Sequence, residues 1–254
     1  MQNPIIPNSA VKVGIIADIH FPFQSDVHLE RATDIFREEK PDVIVVNGDL
    51  VDFFGISKYN TNPSLDFLMK AEIPMAKDFL FELRRDHPQA TIVMVEGNHE
   101  FRIRSFLINN ARPLYQILKD LMPDDILPTL LDMPKLNIEW VGTNPNAAKW
   151  TDTFFHVDDI KIGHFDKVSN PVIPGGMTVR QLMAKGGGSY VQAHIHRAAI
   201  IYNTDFEGTI TWGMETPCLA ANPHYRGYVN WARGVSFLNK HKGRWQPHLI
   251  VFND

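Results

Sequence analysis

Three short apolar runs in the N-terminal half, Val11 to Ala17, Val43 to Val46 and Thr91 to Val95, each break off at polar residues, and helix-periodic stretches separate them. Their β-branched residues suit a pleated surface covered on both faces. Between the first two runs, Leu29, Ala32, Ile35 and Phe36 share one helix face, with Asp26 offering an N-cap. Between the second and third, the stretch Leu65 to Arg85 carries the same period in Leu65, Leu68, Met75, Phe79, Leu80 and Leu83, and Pro74 is expected to kink or break it. Strand, helix, strand, helix, strand at this spacing predicts right-handed crossovers and a mostly parallel sheet.

The second half has a different rhythm. "FFHVDDIKIGH" predicts a hairpin around Asp158-Asp159, "AAIIYNTDFEGTITWG" another, and "GVSFLNKHKGRWQPHLIVF" a third turning at Lys240 to Gly243. These favour antiparallel pairing, so a second sheet is expected to pack on the first. "NPVIPGGM" and "AKGGGSY" are short Gly-rich connectors, with no internal repeat or low-complexity tract. A chain of 254 residues can bury roughly three quarters of its extended surface in one core, so a single domain, 1–254, is expected. Residues 123–150 are expected to cap a site or to connect the two halves.

Composition excludes several classes. The net charge of -4 leaves no basic footprint for tight nonspecific nucleic-acid binding. One cysteine, Cys218, rules out an internal disulfide and a multi-Cys zinc site. The N-terminal apolar run lacks a basic flank and ends in Asp and His, so it is taken as a strand and not a leader. No apolar run approaches the roughly 20 residues that span a bilayer, and a cytoplasmic location is expected.

Five predicted strand ends carry polar residues of one chemical kind: "ADIH" with Asp18 and His20, "NGDLVD" with Asp49 and Asp52, "EGNHE" with Asn98 and His99, "IGH" with His164, and "QAHIH" with His194 and His196. Carboxylate, amide oxygen and imidazole together suit borderline divalent ions such as manganese, iron, zinc, nickel or cobalt. The C-terminal edge of a parallel sheet is where ligands collect. Alternation along a strand would point Asp18 with His20, and His194 with His196, to one side. Each piece alone is also what a turn or a helix cap looks like; independent accidents, however, would scatter these histidines along surface helices.

The ordered series D-x-H, G-D-x-x-D, G-N-H-E, G-H and H-x-H, running from Asp18 to His196, resembles the calcineurin-like metallophosphoesterase superfamily. The resemblance implies an α/β, four-layer αββα sandwich of two mixed sheets flanked by helices, with two divalent metal ions at one edge. By the same resemblance, Asp18, His20, Asp49 and His196 would hold one ion, and Asn98, His164 and His194 the other, with Asp49 bridging. A metal-bridging hydroxide would attack phosphorus, and His99 would donate a proton to the leaving oxygen, oriented by Asp52. Glu100 is expected to be a first-turn helix charge or a structural hydrogen-bonding group. Family members that dephosphorylate proteins carry Arg where this chain has Glu96 and Phe53, which argues against a protein phosphatase. Ala193 stands where Gly is usual, and Ile195 is expected to point into the core.

Around these motifs lie Phe21, Phe23, Phe53, Phe54 and Tyr59, core residues or a platform for a base or an aromatic leaving group. Among them Phe21 and Phe53, with Arg102, are the candidate substrate contacts; Arg102 and Arg104 otherwise form a solvated helix face, and Arg197 is a comparable candidate. The expected function is a phosphodiesterase on small diesters or nucleotides, with manganese the favoured metal and a small phosphoester as the partner. A DNA nuclease or end-processing enzyme is the runner-up. A noncatalytic scaffold should have lost ligands or the acid, and all are present.

Overall fold

The first apolar run forms β1 (Lys12–Ile16), and the amphipathic stretch after it forms α1 (Asp26–Glu39). The computed structural model describes residues 4, 6–58, 64, 69–122, 125–144, 146–147, 149, 152–166, 174–221 and 230–253. Next come β2 (Val43–Asn47), α2 (Met69–Asp86) and β3 (Thr91–Val95). They are followed by α3 (Phe101–Asn110), α4 (Arg112–Leu121), α5 (Ile126–Leu130) and β4 (Ile138–Val141). The chain continues through β5 (Phe154–Val157), β6 (Ile160–Gly163), α6 (Met177–Gly186) and β7 (Ser189–Gln192). It finishes with β8 (Ala199–Thr204), β9 (Ile210–Glu215), β10 (Arg233–His241) and β11 (Arg244–Phe252).

Two mixed sheets result, in the orders β11-β10-β1-β2-β3-β4 and β5-β6-β7-β9-β8. β1 to β4 are parallel neighbours, as the crossover spacing predicts. The third hairpin, β10–β11, extends the first sheet by pairing antiparallel with β1 and does not join the second. The second sheet keeps the other two hairpins at its edges and a parallel β6-β7-β9 centre.

Period-two alternation builds the layers. Val13, Ile15, Val43, Val45, Val93 and Val95 face the second sheet, meeting Phe155, Ile162, Val191 and Met214 in one buried cluster. Ile16, Ile44, Val46, Ile92 and Met94 face the other way, against Ala32 and Phe36 of α1 and Ala76, Phe79, Leu80 and Leu83 of α2. Beyond the second sheet, Val179 and Leu182 of α6 pack on Tyr190 and Phe165. Helices, sheet, sheet, helix is the four-layer order.

Three expectations change, and the connecting segment 123–150 proves to hold a strand of its own. Ser25, not Asp26, is the N-cap of α1, and Asp26 sits in the first turn, where its charge suits the helix dipole. Pro74 lies inside α2 without ending it, because one forfeited hydrogen bond is outweighed by the buried face that follows; Leu65 and Leu68 lie outside the described residues. The segment 123–150 supplies an edge strand, β4, whose Ile138 to Val141 pair with Ile92 to Val95. Arg104 is buried instead of solvated, paired with Asp125 and 3.7 Å from Glu96. Glu96, in one of the positions where an Arg would mark a protein phosphatase, also accepts the Thr143 N–H (2.6 Å) and so pins the chain leaving β4.

Candidate metal centre

The polar residues all leave the C-terminal ends of parallel strands: Asp18 and His20 after β1, Asp49 after β2, Asn98 after β3, His164 after β6, and His194 and His196 after β7. Strand alternation is not what gathers them, because each strand has already ended. Asp18, His20, Asp49, His194 and His196 instead hold φ of +53°, +56°, +53°, +74° and +58°. Such left-handed backbone is uncommon outside glycine and clusters at functional sites. It sends His194 and His196 into two different groups of side chains, and Ile195 between them is buried.

One group is Asp18, His20 and His196. His196 Nε2 lies 3.2 Å from Asp18 Oδ1 and 3.3 Å from His20 Nε2. A second is Asp49, His164 and His194, and a third, His20, Asp52 and His99, shares His20 with the first. His164 Nε2 has Asp49 Oδ2 and Asn98 Oδ1 both at 3.1 Å and His194 Nδ1 at 3.2 Å. Asp49 Oδ2 lies between the first two groups, 3.7 Å from His20 Nε2. Glycine makes this approach possible twice: a Cβ on Gly48 would fall 2.4 Å from His164 Nδ1, and one on Gly97 2.3 Å from Asp49 Oδ1.

Burial pushes Asp18, Asp49 and Asp52 up and His20, His164, His194 and His196 down, and the neighbours decide how far that holds. Against burial, His164 and His99 hold Asp49 well below the ordinary carboxylate range. Asp18 is lowered by His196, and Asp52 by His99 and His20, again against burial. His164 is pushed up to about 10 by Asp49 and Asp18 despite its burial. Asp52 and Asp49 likewise raise His20. Burial, then the charge on His164, drives His194 down to about 3, and burial lowers His196. The donors gathered here are carboxylate and amide oxygen and imidazole nitrogen, a set that fits divalent cations.

Several groups support these ligands: Glu100 takes the structural hydrogen-bonding role expected of it, whereas Asn47 and Trp231 were not among the expected site residues. Asn47 accepts the His164 Nδ1–H on its carbonyl (3.0 Å), which turns Nε2 toward Asp49. Glu100 is buried and accepts the N–H groups of Asp49 (2.8 Å), Leu50 (2.7 Å), Val51 (3.2 Å) and Gly97 (2.8 Å). It is therefore a brace for two motif loops, and burial followed by nearby Asp49 pushes its pKa to about 7. Trp231 stands edge-on to His196 with ring centres 4.3 Å apart.

His99 and Asp52 meet at the rim, with a twist on the expected pairing. The Asp52 carboxylate is nearer His20 Nδ1 (3.0 Å) than His99 Nδ1 (3.4 Å). His99 Nδ1–H donates instead to the Asp52 backbone carbonyl (2.9 Å). Arg102 Nη1 donates to the same carbonyl (2.7 Å), and Nη2 to His99 Nε2 (3.0 Å). Arg102 is thus at the site, whereas Phe21 and Phe53, expected to offer ring faces, are 3% and 1% exposed and belong to the core against α2. The half-buried rings near the motifs are their neighbours Phe23 and Phe54, 5.6 Å apart. Tyr59 lies outside the described residues. Arg197 is buried.

The sequence model of the calcineurin-like phosphoesterase family matches residues 11–198. Two curated relatives, each called Gene 54 protein, align over nearly the full length. That of Mycobacterium phage D29 is 24% identical over 251 residues, 94% of this chain and 92% of that protein. That of Mycobacterium phage L5 is 22% identical over 250 residues, with the same coverages of 94% and 92%. Similar solved structures include Vacuolar Protein Sorting 29 from Cryptosporidium parvum, at 10% identity and TM-score 0.42, covering 96% of this chain and 99% of that one. Another is Yfce, a phosphoesterase from E. coli, at 12% identity and TM-score 0.41, covering 90% and 88%. Among the described residues no helix is long and apolar enough to cross a membrane.

Proposed function

Because this chain belongs to the calcineurin-like phosphoesterase family, we propose that it is a metal-dependent phosphodiesterase acting on small diesters or nucleotides. The observation that carries this reading is the Asp18–His20–His196 and Asp49–His164–His194 groups meeting at Asp49, with His99 outside both and clustered at the rim with His20 and Asp52. In it, Asp18, His20, His196 and Asp49 hold one divalent ion, and Asp49, Asn98, His164 and His194 a second. Manganese is favoured, and iron, zinc, nickel and cobalt accept the same donors. When bound, such ions polarise phosphoryl oxygens and acidify water toward neutral pH.

This chain's own residues supply orientation and a proton. Asp52 steadies His20 through its carboxylate and His99 through its carbonyl. A proton donor needs the imidazolium, with Nδ1–H held by Asp52 and a second proton on Nε2, yet Arg102 donates to Nε2 here. An entering phosphoryl group, being anionic, draws the guanidinium onto its oxygens and leaves Nε2 free to take up a proton and pass it to the leaving oxygen. A diester suits this arrangement because an alkoxide is a poor leaving group and needs that proton.

The test uses manganese-loaded protein with bis-p-nitrophenyl phosphate, p-nitrophenyl phosphate and 3′,5′-cyclic AMP. Diesters should be the better substrates. His99→Ala should keep its metals and lose about 10²–10⁴-fold in diester cleavage, with the larger loss on the cyclic nucleotide, whose leaving group is an alkoxide. No turnover of any substrate by metal-loaded protein would overturn the enzymatic reading, and full activity in His99→Ala would overturn the assignment of the acid.

A further inference from the structure

One buried carboxyl beside this site has no part in the chemistry above. Glu72 of α2 is fully buried, and its Oε2 accepts the N–H of Phe53. On the other side of the same peptide, the Asp52 carbonyl accepts from His99 Nδ1 at 2.9 Å and Arg102 Nη1 at 2.7 Å. A peptide group is planar and stiff, so an acceptor that fixes its N–H also fixes the direction of its C=O. Phe53 needs such an anchor, since its φ of +51° is an uncommon conformation for a bulky residue. Burying a carboxyl is costly unless its hydrogen bonds are used, and the bonds Glu72 makes are to this strained turn, at Phe53 and more weakly at Phe54.

We propose that Glu72 is a positioning residue for phosphoester cleavage, acting through the Asp52–Phe53 peptide to set the tautomer and orientation of His99 and the seat of Arg102. The proposal rests on His99 being the proton donor. It requires an acceptor oxygen at Glu72, not a charge. Either neutral His99 with Nδ1–H or the imidazolium makes the same bond to Asp52, so the anchor serves both states of a proton cycle.

The experiment compares Glu72→Ala, Glu72→Asp and Glu72→Gln with wild type, each loaded with zinc. Metal content, steady-state kinetics on the diester and ¹⁵N signals of the His99 ring are measured together. Glu72→Ala should keep the wild-type metal stoichiometry and KM while kcat falls about 10–100-fold, the range seen when a supporting contact is lost. Its His99 signals should show the Nε2–H tautomer appearing. Glu72→Gln, whose amide oxygen accepts the same N–H, should restore both. Glu72→Asp withdraws the oxygen by one methylene while keeping a carboxyl, and gives the same reading if the Ala variant does not fold. The proposal is overturned by unchanged kcat and tautomer in Glu72→Ala or Glu72→Asp, by a loss of kcat that tracks loss of metal, or by a Glu72→Gln as impaired as Glu72→Ala. If wild type cleaves no phosphoester, the functional reading fails, and the tautomer signals still decide whether Glu72 governs His99.

Discussion

The layer between the two sheets and the rim at their C-terminal ends are built from the same strands a few residues apart. Val13 and Ile15 of β1 are buried in extended backbone, in one apolar cluster with Val191 and Met214. Asp18 and His20, just past the same strand, are as deeply buried but left-handed, and they face His196, Asp49 and Asp52. In the layer, burial itself supplies the stabilisation, and many apolar residues of similar volume would serve. At the rim, burial opposes every charge, and particular atoms at particular distances must offset it. Stability and chemistry should therefore separate cleanly on mutation.

The largest effect is expected at Asp49. Asp49→Asn weakens an oxygen placed between both ligand groups, so metal content should fall at both sites and activity should drop further than in His99→Ala, while the melting temperature of the metal-free protein stays near wild type. Inductively coupled plasma mass spectrometry gives the stoichiometry, and a variant still holding two ions would end the shared-ligand assignment. Phe155→Ala, inside the inter-sheet layer, should show the reverse: about 3–5 kcal/mol less stability in denaturant titrations, with kcat per folded molecule unchanged. A fall in kcat at constant metal content would mean that the layer and the rim are not separable.

The smallest effect sharpens the boundary between the two regions. Burial raises Glu72 to about 8 from its ordinary 4.5, so the folded state holds a proton that the unfolded chain releases near 4.5. That contribution is complete below pH 4.5 and is lost as pH rises through about 8. Wild-type melting temperatures should therefore decline more between pH 5 and 8.5 than those of Glu72→Gln, which has no such proton. Parallel slopes would show that Glu72 is not held protonated.

Most of the architecture was legible because it rests on repetition. Apolar runs of β-branched residues marked β1, β2 and β3, alternation around turns marked the three hairpins, and a helical period marked α1 and the described part of α2. β4 escaped notice because Ile138 to Val141 is four residues long and follows a turn-rich stretch around Pro134 and Asn137. The edge position of β10–β11 was hidden for another reason: a hairpin sequence does not say which sheet it joins. At the site, residue types and order marked the candidate ligand-bearing loops, whereas the burial of Phe21 and Phe53 could not be read there, because which of several nearby rings turns inward depends on the packing of α2.

By itself the sequence determined the periodicities, hence the strands, the helices and a second sheet packed on the first, and the order of polar residues at the strand ends, because these are local properties of the chain. Only the tertiary structure decided that five of those residues take left-handed backbone, that one oxygen of Asp49 stands between two clusters, and that Glu72 reaches His99 through a peptide. Those facts depend on contacts between residues far apart in the chain, 50 positions between Asp49 and His99 and 176 between Asp18 and His194. A local stretch of sequence does not specify which distant segment will pack against it.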